Sequence, residues 1–409
     1  GGTYPPPAMA IQHLMTISRV RGRRRLAVAT AAVAALCGAG LTQGGAVQAQ
    51  GKAAETPWVV SVGDSFISGE AGRWAGNSND SEGGYSGTDR AFDATDGTTD
   101  EHRVYGTSYD DHCNRSDSAE VHSARPQARA QRLNVACSGA TSTAILLPEH
   151  GGSPFKTEPS QAQQLQDAVT GHPVRAVVVS VGGNDLGFED VITACAKNFL
   201  QPIGATPCAP DQAPEVKKRL PAMRTAVVNT LADVTTAMAR AGHRAGSYRL
   251  ILQSYPSPLP DGARVRYPGD GYDRLTQGGC PFFDKDLTWA HDELVPEIST
   301  TLASAARASG AEFLDLSRSF EGREVCASTT AQAGPDQRPS GRTSEWVRFV
   351  TTGHGQGQRQ ESLHPNYYGQ LALGTCLGLQ LDRAPGDRRC TNTAGAGPRD
   401  MRLSPAPTA

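Results

Sequence analysis

Short apolar runs rich in β-branched residues recur along this chain of 409 residues, and segments with helical spacing separate them. Short apolar runs bounded by Gly, Pro or polar residues are typical of buried strands. The predicted strands lie within the segments 57–62, 133–142, 174–185, 248–256 and 311–317. Two longer segments, 214–243 and 287–310, repeat apolar residues at the interval of an amphipathic helix, with Val227, Leu231, Val234 and Met238 as core positions. This alternation predicts an α/β fold, a three-layer α/β/α sandwich with a central parallel sheet and right-handed crossovers.

Three other segments break this pattern. The segment 72–118 is rich in Gly, Ser, Asp and Asn, so we expect a solvated loop beside the first strand; its carboxylates lack the regular spacing of Ca²⁺ ligands. A helix is predicted over 123–132. The Gly-, Pro- and Ala-rich segment 391–409 is expected to be disordered, which leaves 50–390 as one folded domain.

Residues 1–49 have the composition of a signal peptide with upstream residues. Five arginines between positions 19 and 25 precede a 16-residue apolar stretch, and small residues follow near position 49. The apolar stretch is shorter than the ~20 residues that a membrane-spanning helix needs. We therefore expect a secreted protein without an integral membrane segment, exported by either the general or the twin-arginine route.

Cysteine number and charge agree with export. Of nine cysteines, Cys37 falls inside the signal, and the remaining even number suits disulfides in an oxidising compartment. Removal of the signal leaves 34 basic residues against 41 acidic ones. With this negative balance and no basic stripe, a nucleic-acid partner is not expected.

Four polar or glycine positions carry the candidate chemistry. Ser65 follows the first predicted strand, Gly139 the second and Asn184 the third, while His364 precedes a helical pattern. Open α/β sheets place their chemistry at the carboxyl ends of strands, and a histidine can take the proton of a serine nucleophile at neutral pH. Each residue also has a purely structural interpretation: Ser65 or Asn184 as a helix cap, and Gly139 as a turn residue.

This ordered quartet, in the segments SVGDSFISG, LNVACSGATS, VRAVVVSVGGND and ESLHPNYYGQ, resembles the SGNH (GDSL) hydrolases, especially secreted actinobacterial lipases and esterases. The resemblance covers about 57–381. It implies that Ser65 is the nucleophile and His364 the base, and that the backbone N–H groups of Ser65 and Gly139 and the side-chain amide of Asn184 bind the oxyanion.

The resemblance also bears on the cysteines. It implies disulfides that join near neighbours in the sequence, and proximity extends them to a fourth pair. The expected pairs are Cys113 with Cys137, Cys195 with Cys208, Cys280 with Cys326, and Cys376 with Cys390.

Two groups are candidates for the third member of a catalytic triad, the one that orients His364. Many members of the family carry an Asp three residues before the His, where this chain has Glu361. We expect Glu361 to orient His364, but a backbone carbonyl could do so instead and leave a Ser–His dyad. His354, in a glycine-rich segment, is a second candidate base. No HExxH or paired CxxC motif indicates a metal, and no GxSxG motif surrounds Ser65.

These features predict an ester hydrolase that needs no cofactor or metal and acts as a monomer on a small-molecule or lipid ester. The resemblance to secreted members of the family implies fatty-acyl esters of lipids as substrates, as for a lipase, esterase or phospholipase A. A carbohydrate acetylesterase is the alternative; Trp58, Trp74, Trp289 and Trp346 are the tryptophans available for a sugar-binding rim, of which Trp58, in the first predicted strand, is expected in the core. A third alternative is an inactive scaffold that binds lipid or glycan.

Overall fold

Seven strands form one mostly parallel sheet in the computed structural model, which describes residues 54–351 and 355–407. The strands are β1 Trp58–Gly63, β2 Gln131–Asn134, β3 Val174–Ser180, β4 Arg249–Gln253, β5 Glu312–Asp315, β6 Arg388–Thr391 and β7 Arg402–Pro405. Their order is β2-β1-β3-β4-β5-β6-β7, and every neighbouring pair is parallel except β6 and β7. The predicted signal peptide and His354 lie outside the described residues.

Helices cover both faces of the sheet and complete the predicted sandwich. They are α1 Ser65–Ser68, α2 Glu120–Ser123, α3 Gln161–Val169, α4 Gly183–Leu186, α5 Phe188–Phe199, α6 Ala209–Arg240, α7 Asp284–Trp289, α8 Val295–Ser309 and α9 Tyr367–Leu381. Helices α3 and α8 pack against α6, and α9 packs against α2. The four core positions predicted on α6 are buried. None of the helices within the described ranges is both long and apolar enough to cross a bilayer.

The helix predicted over 123–132 is wrong. Helix α2 ends at Ser123, Ala124 is already extended, and β2 begins at Gln131. Pro126 explains the early end, because a proline disfavours helical geometry at the residue before it.

The prediction of a solvated loop over 72–118 is also wrong for most of that segment. It contains a two-stranded hairpin, Phe92–Asp93 with Thr98–Thr99, and the helical turns Glu82–Gly87 and His102–Tyr105. Several of its polar residues are buried because they bond to one another, as in the 2.7 Å ion pair of Arg73 with Asp89. The longest exposed stretch of the segment is its outer part, 94–100.

The tail beyond Thr391 forms an edge strand and is not disordered as predicted. Strand β7 pairs antiparallel with β6, with Cys390 opposite Leu403. Backbone hydrogen bonds to an open sheet edge order this segment, although its Gly- and Pro-rich composition buries little apolar surface. The folded unit therefore extends past residue 390.

All eight cysteines of the described residues form disulfides. The bonds join Cys113 to Cys137, Cys195 to Cys208, Cys280 to Cys326, and Cys376 to Cys390. These are the four pairs expected from the sequence.

Candidate active site

Ser65 lies where β1 passes into α1, at the carboxyl end of the sheet. Asp64 caps the helix: its side chain accepts a 3.2 Å hydrogen bond from the Phe66 N–H. Gly63 has a φ of 146° and leaves no room for a Cβ beside the Ser180 carbonyl. This sharp turn places Ser65 at the first helical position, 6% exposed. The structure thus gives the capping role to Asp64 and not to Ser65.

His364 meets Ser65 across 299 residues of sequence. Its Nε2 is 2.6 Å from Ser65 Oγ, and its Nδ1 is 3.0 Å from the backbone carbonyl of Ser362. A carbonyl can only accept a hydrogen bond, so Nδ1 carries the proton and Nε2 is free to accept one from the serine. Burial lowers the pKa of His364 to about 4, which keeps the ring neutral near pH 7.

Glu361 does not orient His364, and the prediction that it would is wrong in this structure. One carboxylate oxygen accepts from Trp74 Nε1 at 3.0 Å and from the Gln358 N–H at 2.9 Å. The other accepts from the Tyr105 hydroxyl at 2.5 Å. The Ser362 carbonyl contacts His364 Nδ1, where a triad acid would be expected. The arrangement is therefore the Ser–His dyad that the sequence left open.

Two of the three partners of Glu361, Trp74 and Tyr105, belong to the segment 72–118, which was expected to be solvated. Trp74 is fully buried, and the guanidinium of Arg348 lies 3.6 Å from the centre of its ring. Glu361 therefore anchors the loop that carries His364 to this segment. Sequence reasoning missed Trp74 and Tyr105 as neighbours of the site, because no local pattern marks a contact over more than 250 residues.

Gly139 and Asn184 lie on neighbouring segments at the same end of the sheet. The Cys137 N–H donates to the Gly63 carbonyl at 3.0 Å, so the chain before Gly139 runs alongside the end of β1. Gly139 is exposed in a turn with a φ of 82°. The Asn184 amide donates to the Ala140 carbonyl at 2.9 Å. Gly187 caps α5, so the helix-cap interpretation of Asn184 does not hold.

Three side-chain groups within the described residues have the spacing of metal ligands, but their chemistry does not suit a metal site. Two of them include Cys113 or Cys195, whose sulfur atoms are in disulfides. The third centres on His291, and the Arg318 guanidinium lies 3.1 Å from its Nε2, where it competes with any cation.

A serine–histidine pair at the carboxyl edge of a mostly parallel α/β sheet has the geometry of a hydrolase that works by nucleophilic catalysis. The comparison with protein families is specific: residues 61–372 match the GDSL-like Lipase/Acylhydrolase family. The chain belongs to this family and is an ester hydrolase.

The solved structures that match this chain are distant from it in sequence. They include an extracellular lipase from Streptomyces rimosus (19% identity, TM-score 0.43) and phospholipase A1 from Streptomyces albidoflavus (18%, 0.41), each matched over 80% of this chain and 100% of its own. A carbohydrate acetylesterase from Sinorhizobium meliloti matches at 11% identity and a TM-score of 0.35, over 80% of this chain and 98% of its own. None of the curated proteins compared matches the chain significantly.

Proposed function

We propose that this protein is a secreted enzyme that hydrolyses fatty-acyl esters through an acyl-enzyme on Ser65. The observation that carries the proposal is the 2.6 Å contact of Ser65 Oγ with His364 Nε2, together with the Nδ1 contact to the Ser362 carbonyl. This arrangement fixes the tautomer that a general base needs.

In the acylation step, Ser65 Oγ attacks the ester carbonyl while its proton passes to His364 Nε2. The tetrahedral oxyanion accepts from the backbone N–H groups of Ser65 and Gly139 and from the Asn184 amide. One N–H of that amide is held by Ala140, and its second N–H is the donor that we assign to the oxyanion. His364 then protonates the leaving alkoxide, so that an alcohol departs and the acyl group stays on Ser65.

In deacylation, His364 takes a proton from water, and the resulting hydroxide oxygen attacks the acyl carbon. Collapse of the second tetrahedral intermediate returns the proton to Ser65 Oγ and releases the carboxylic acid. The backbone carbonyl of Ser362 holds the ring through both steps. It carries no full charge, so the imidazolium is stabilised less than it would be by a carboxylate.

The tryptophans favour an acyl-lipid substrate over a polysaccharide. Trp74, Trp289 and Trp346 are buried, and Trp58 packs against the core at the amino-terminal end of β1, the end opposite Ser65. None of the four is therefore available for a sugar-binding rim. An aromatic ring that does lie at the site is Phe155, whose Cζ is 3.6 Å from the position that a Cβ on Gly139 would occupy. A phenyl ring with no polar atom suits contact with an acyl chain.

The proposed location of the enzyme rests on its disulfides and on the predicted signal peptide. Four disulfides suit an oxidising compartment. We propose that residues 1–49 direct export and that the mature enzyme works as an extracellular monomer.

Two measurements test the function together. A fluorophosphonate probe should label Ser65, located by mass spectrometry, and Ser65→Ala should remove both the labelling and the turnover. A ladder of p-nitrophenyl esters from C2 to C16 then separates the alternatives: preference for C8 or longer supports a lipase, and hydrolysis of C2 alone supports an acetylesterase. Absence of turnover combined with lipid binding would leave the inactive scaffold.

A further inference from the structure

The Tyr255 hydroxyl joins two parts of the site that the sequence analysis treated separately. It donates to Asp64 Oδ2 at 2.5 Å and accepts from the Gly183 N–H at 3.0 Å. Tyr255 lies two residues past the end of β4 and is 8% exposed. A single buried hydroxyl thus connects β4, the turn before Ser65 and the first residue of α4.

The two groups bridged by this hydroxyl adjoin residues of the proposed chemistry. Asp64 caps α1, whose first residue is Ser65. Gly183 is the first residue of α4, and Asn184 is the second. The hydroxyl therefore links Asp64, the residue before the proposed nucleophile, to Gly183, the residue before the proposed amide donor.

One backbone contact continues past the paired strands, because the Asp64 N–H donates to the Ser180 carbonyl at 3.0 Å. This contact lies before α4: the β1–β3 pairing ends at Gly63 and Ser180, and the chain then leaves the sheet through Gly182, which has a φ of 114°. The Asn184 amide and the Asp185 carboxylate bond to Ala140 and Ser142, which tie α4 to the Gly139 segment but not to Ser65. Tyr255 supplies the direct side-chain link between α4 and the turn at the nucleophile.

We propose that Tyr255 is a positioning residue that sets the distance between the Ser65 backbone N–H and the Asn184 amide, and so shapes the oxyanion hole. The proposal rests on the oxyanion roles given above. Tyr255 itself contacts neither the substrate nor a reacting atom.

The surroundings of Tyr255 hold its hydroxyl in place. Its ring meets the edge of Phe66 at 5.1 Å between centroids, and Phe66 also lies 4.9 Å from the His364 ring. Asp64 is buried, and desolvation raises its pKa to about 7. A buried carboxyl group of this kind gains strongly from a hydroxyl donor, and loss of the hydroxyl leaves both Asp64 Oδ2 and the Gly183 N–H short of a partner.

The test is Tyr255→Phe, which removes the oxygen and keeps the ring. We expect kcat to fall about 10- to 100-fold with KM nearly unchanged, less than the 10²–10³ typical of one lost oxyanion donor, because the donors are displaced and not deleted. Affinity for a trifluoromethyl ketone, which forms a tetrahedral adduct with Ser65, should fall by a similar factor. In an Asn184→Ala background, Tyr255→Phe should cost much less, because both changes disable the same donor.

Tyr248→Phe is the matched control, since Tyr248 is half-buried just before β4 and lies outside the site. It should leave kcat and inhibitor affinity unchanged. The proposal is overturned if folded Tyr255→Phe keeps normal kcat, or if its effect is fully additive with that of Asn184→Ala. Normal kcat would leave the proposed ester hydrolysis intact, whereas absence of wild-type turnover would count against the proposed function itself.

Discussion

Replacing Glu361 tests whether this residue anchors the loop that carries His364 or acts as the acid of a catalytic triad. Glu361→Gln can keep all three contacts of the carboxylate: its carbonyl oxygen accepts from Trp74 and Gln358, and its amide donates to the Tyr105 oxygen. The substitution exchanges hydrogen bonds to a charged acceptor for neutral ones, a loss of about 2 kcal/mol of folding stability. Because the Ser362 carbonyl still holds the imidazole, kcat should fall less than about 10-fold.

Glu361→Ala should have a much larger effect on stability than on chemistry. It leaves two buried donors and the half-buried Gln358 N–H without this acceptor, and it removes a carboxylate near the fully buried Arg348. Loss of one partner from a buried charged cluster costs about 3–5 kcal/mol, equivalent to a fall in Tm on the order of 10 °C. The fraction that stays folded should retain most of the wild-type kcat.

Thermal unfolding and steady-state kinetics at a temperature well below both melting transitions measure the two effects separately. Glu293→Gln is the control, because this exposed glutamate lies in the π-helical segment Ala290–Leu294 that joins α7 to α8, and its replacement should change neither quantity. Neutralisation of a triad acid with intact geometry lowers kcat by about 10⁴. A loss of that size in Glu361→Gln with unchanged Tm would refute the anchor and restore Glu361 as a triad member.

Four further predictions rest on the described geometry, two of them on the buried ring of His364. Burial lowers the pKa of His364 to about 4, and only the neutral ring is a base, so the acid limb of kcat/KM should lie well below pH 6.5; a limb at 6.5 or higher would contradict the burial. Native stability should also decline as pH falls from about 6.5 to 4, since the unfolded chain binds this proton more readily. Folded Asn184→Ala should lose about 10²–10³ in kcat with little change in KM, and near-normal kcat would remove Asn184 from the oxyanion hole. Replacing both Cys376 and Cys390 with Ser should lower stability by about 3 kcal/mol, measured by denaturant unfolding, and an unchanged midpoint would show that this bond contributes little.

The features that could be predicted from the sequence are those encoded over short distances. The run before Ser65 is buried because apolar β-branched residues occupy both faces of a central strand, and the same holds for the run before Asn184. Their carboxyl ends meet at one edge, so the order of strands and of polar residues was enough to bring Ser65, Gly139 and Asn184 to it. Family resemblance supplied His364.

Most of the errors arise from pairing between residues that are apart in sequence; the helix predicted over 123–132 is the exception, because Pro126 ends it locally. The segment 72–118 looks solvated by composition, yet Arg73 is buried against Asp89 inside the segment and Asn77 is buried against Arg348 outside it. Glu361 stands at the expected distance from His364 in sequence, but Trp74 and Tyr105 hold it elsewhere. No local pattern reveals that Tyr255 bridges Asp64 and Gly183, because the three residues follow three different strands and are far apart in sequence.

Strand β7 bears on the colloidal behaviour of the protein. A sheet that stopped at β6 would expose a row of unpaired N–H and C=O groups to the same row on a neighbouring molecule. Arg402–Pro405 covers that row, and its last residue is a proline, which cannot donate to a further strand. Truncating the chain so that it ends before Arg402 should therefore leave the chemistry of Ser65 intact. Concentrated solutions of the truncated protein should become turbid and accumulate high-molecular-weight species on storage.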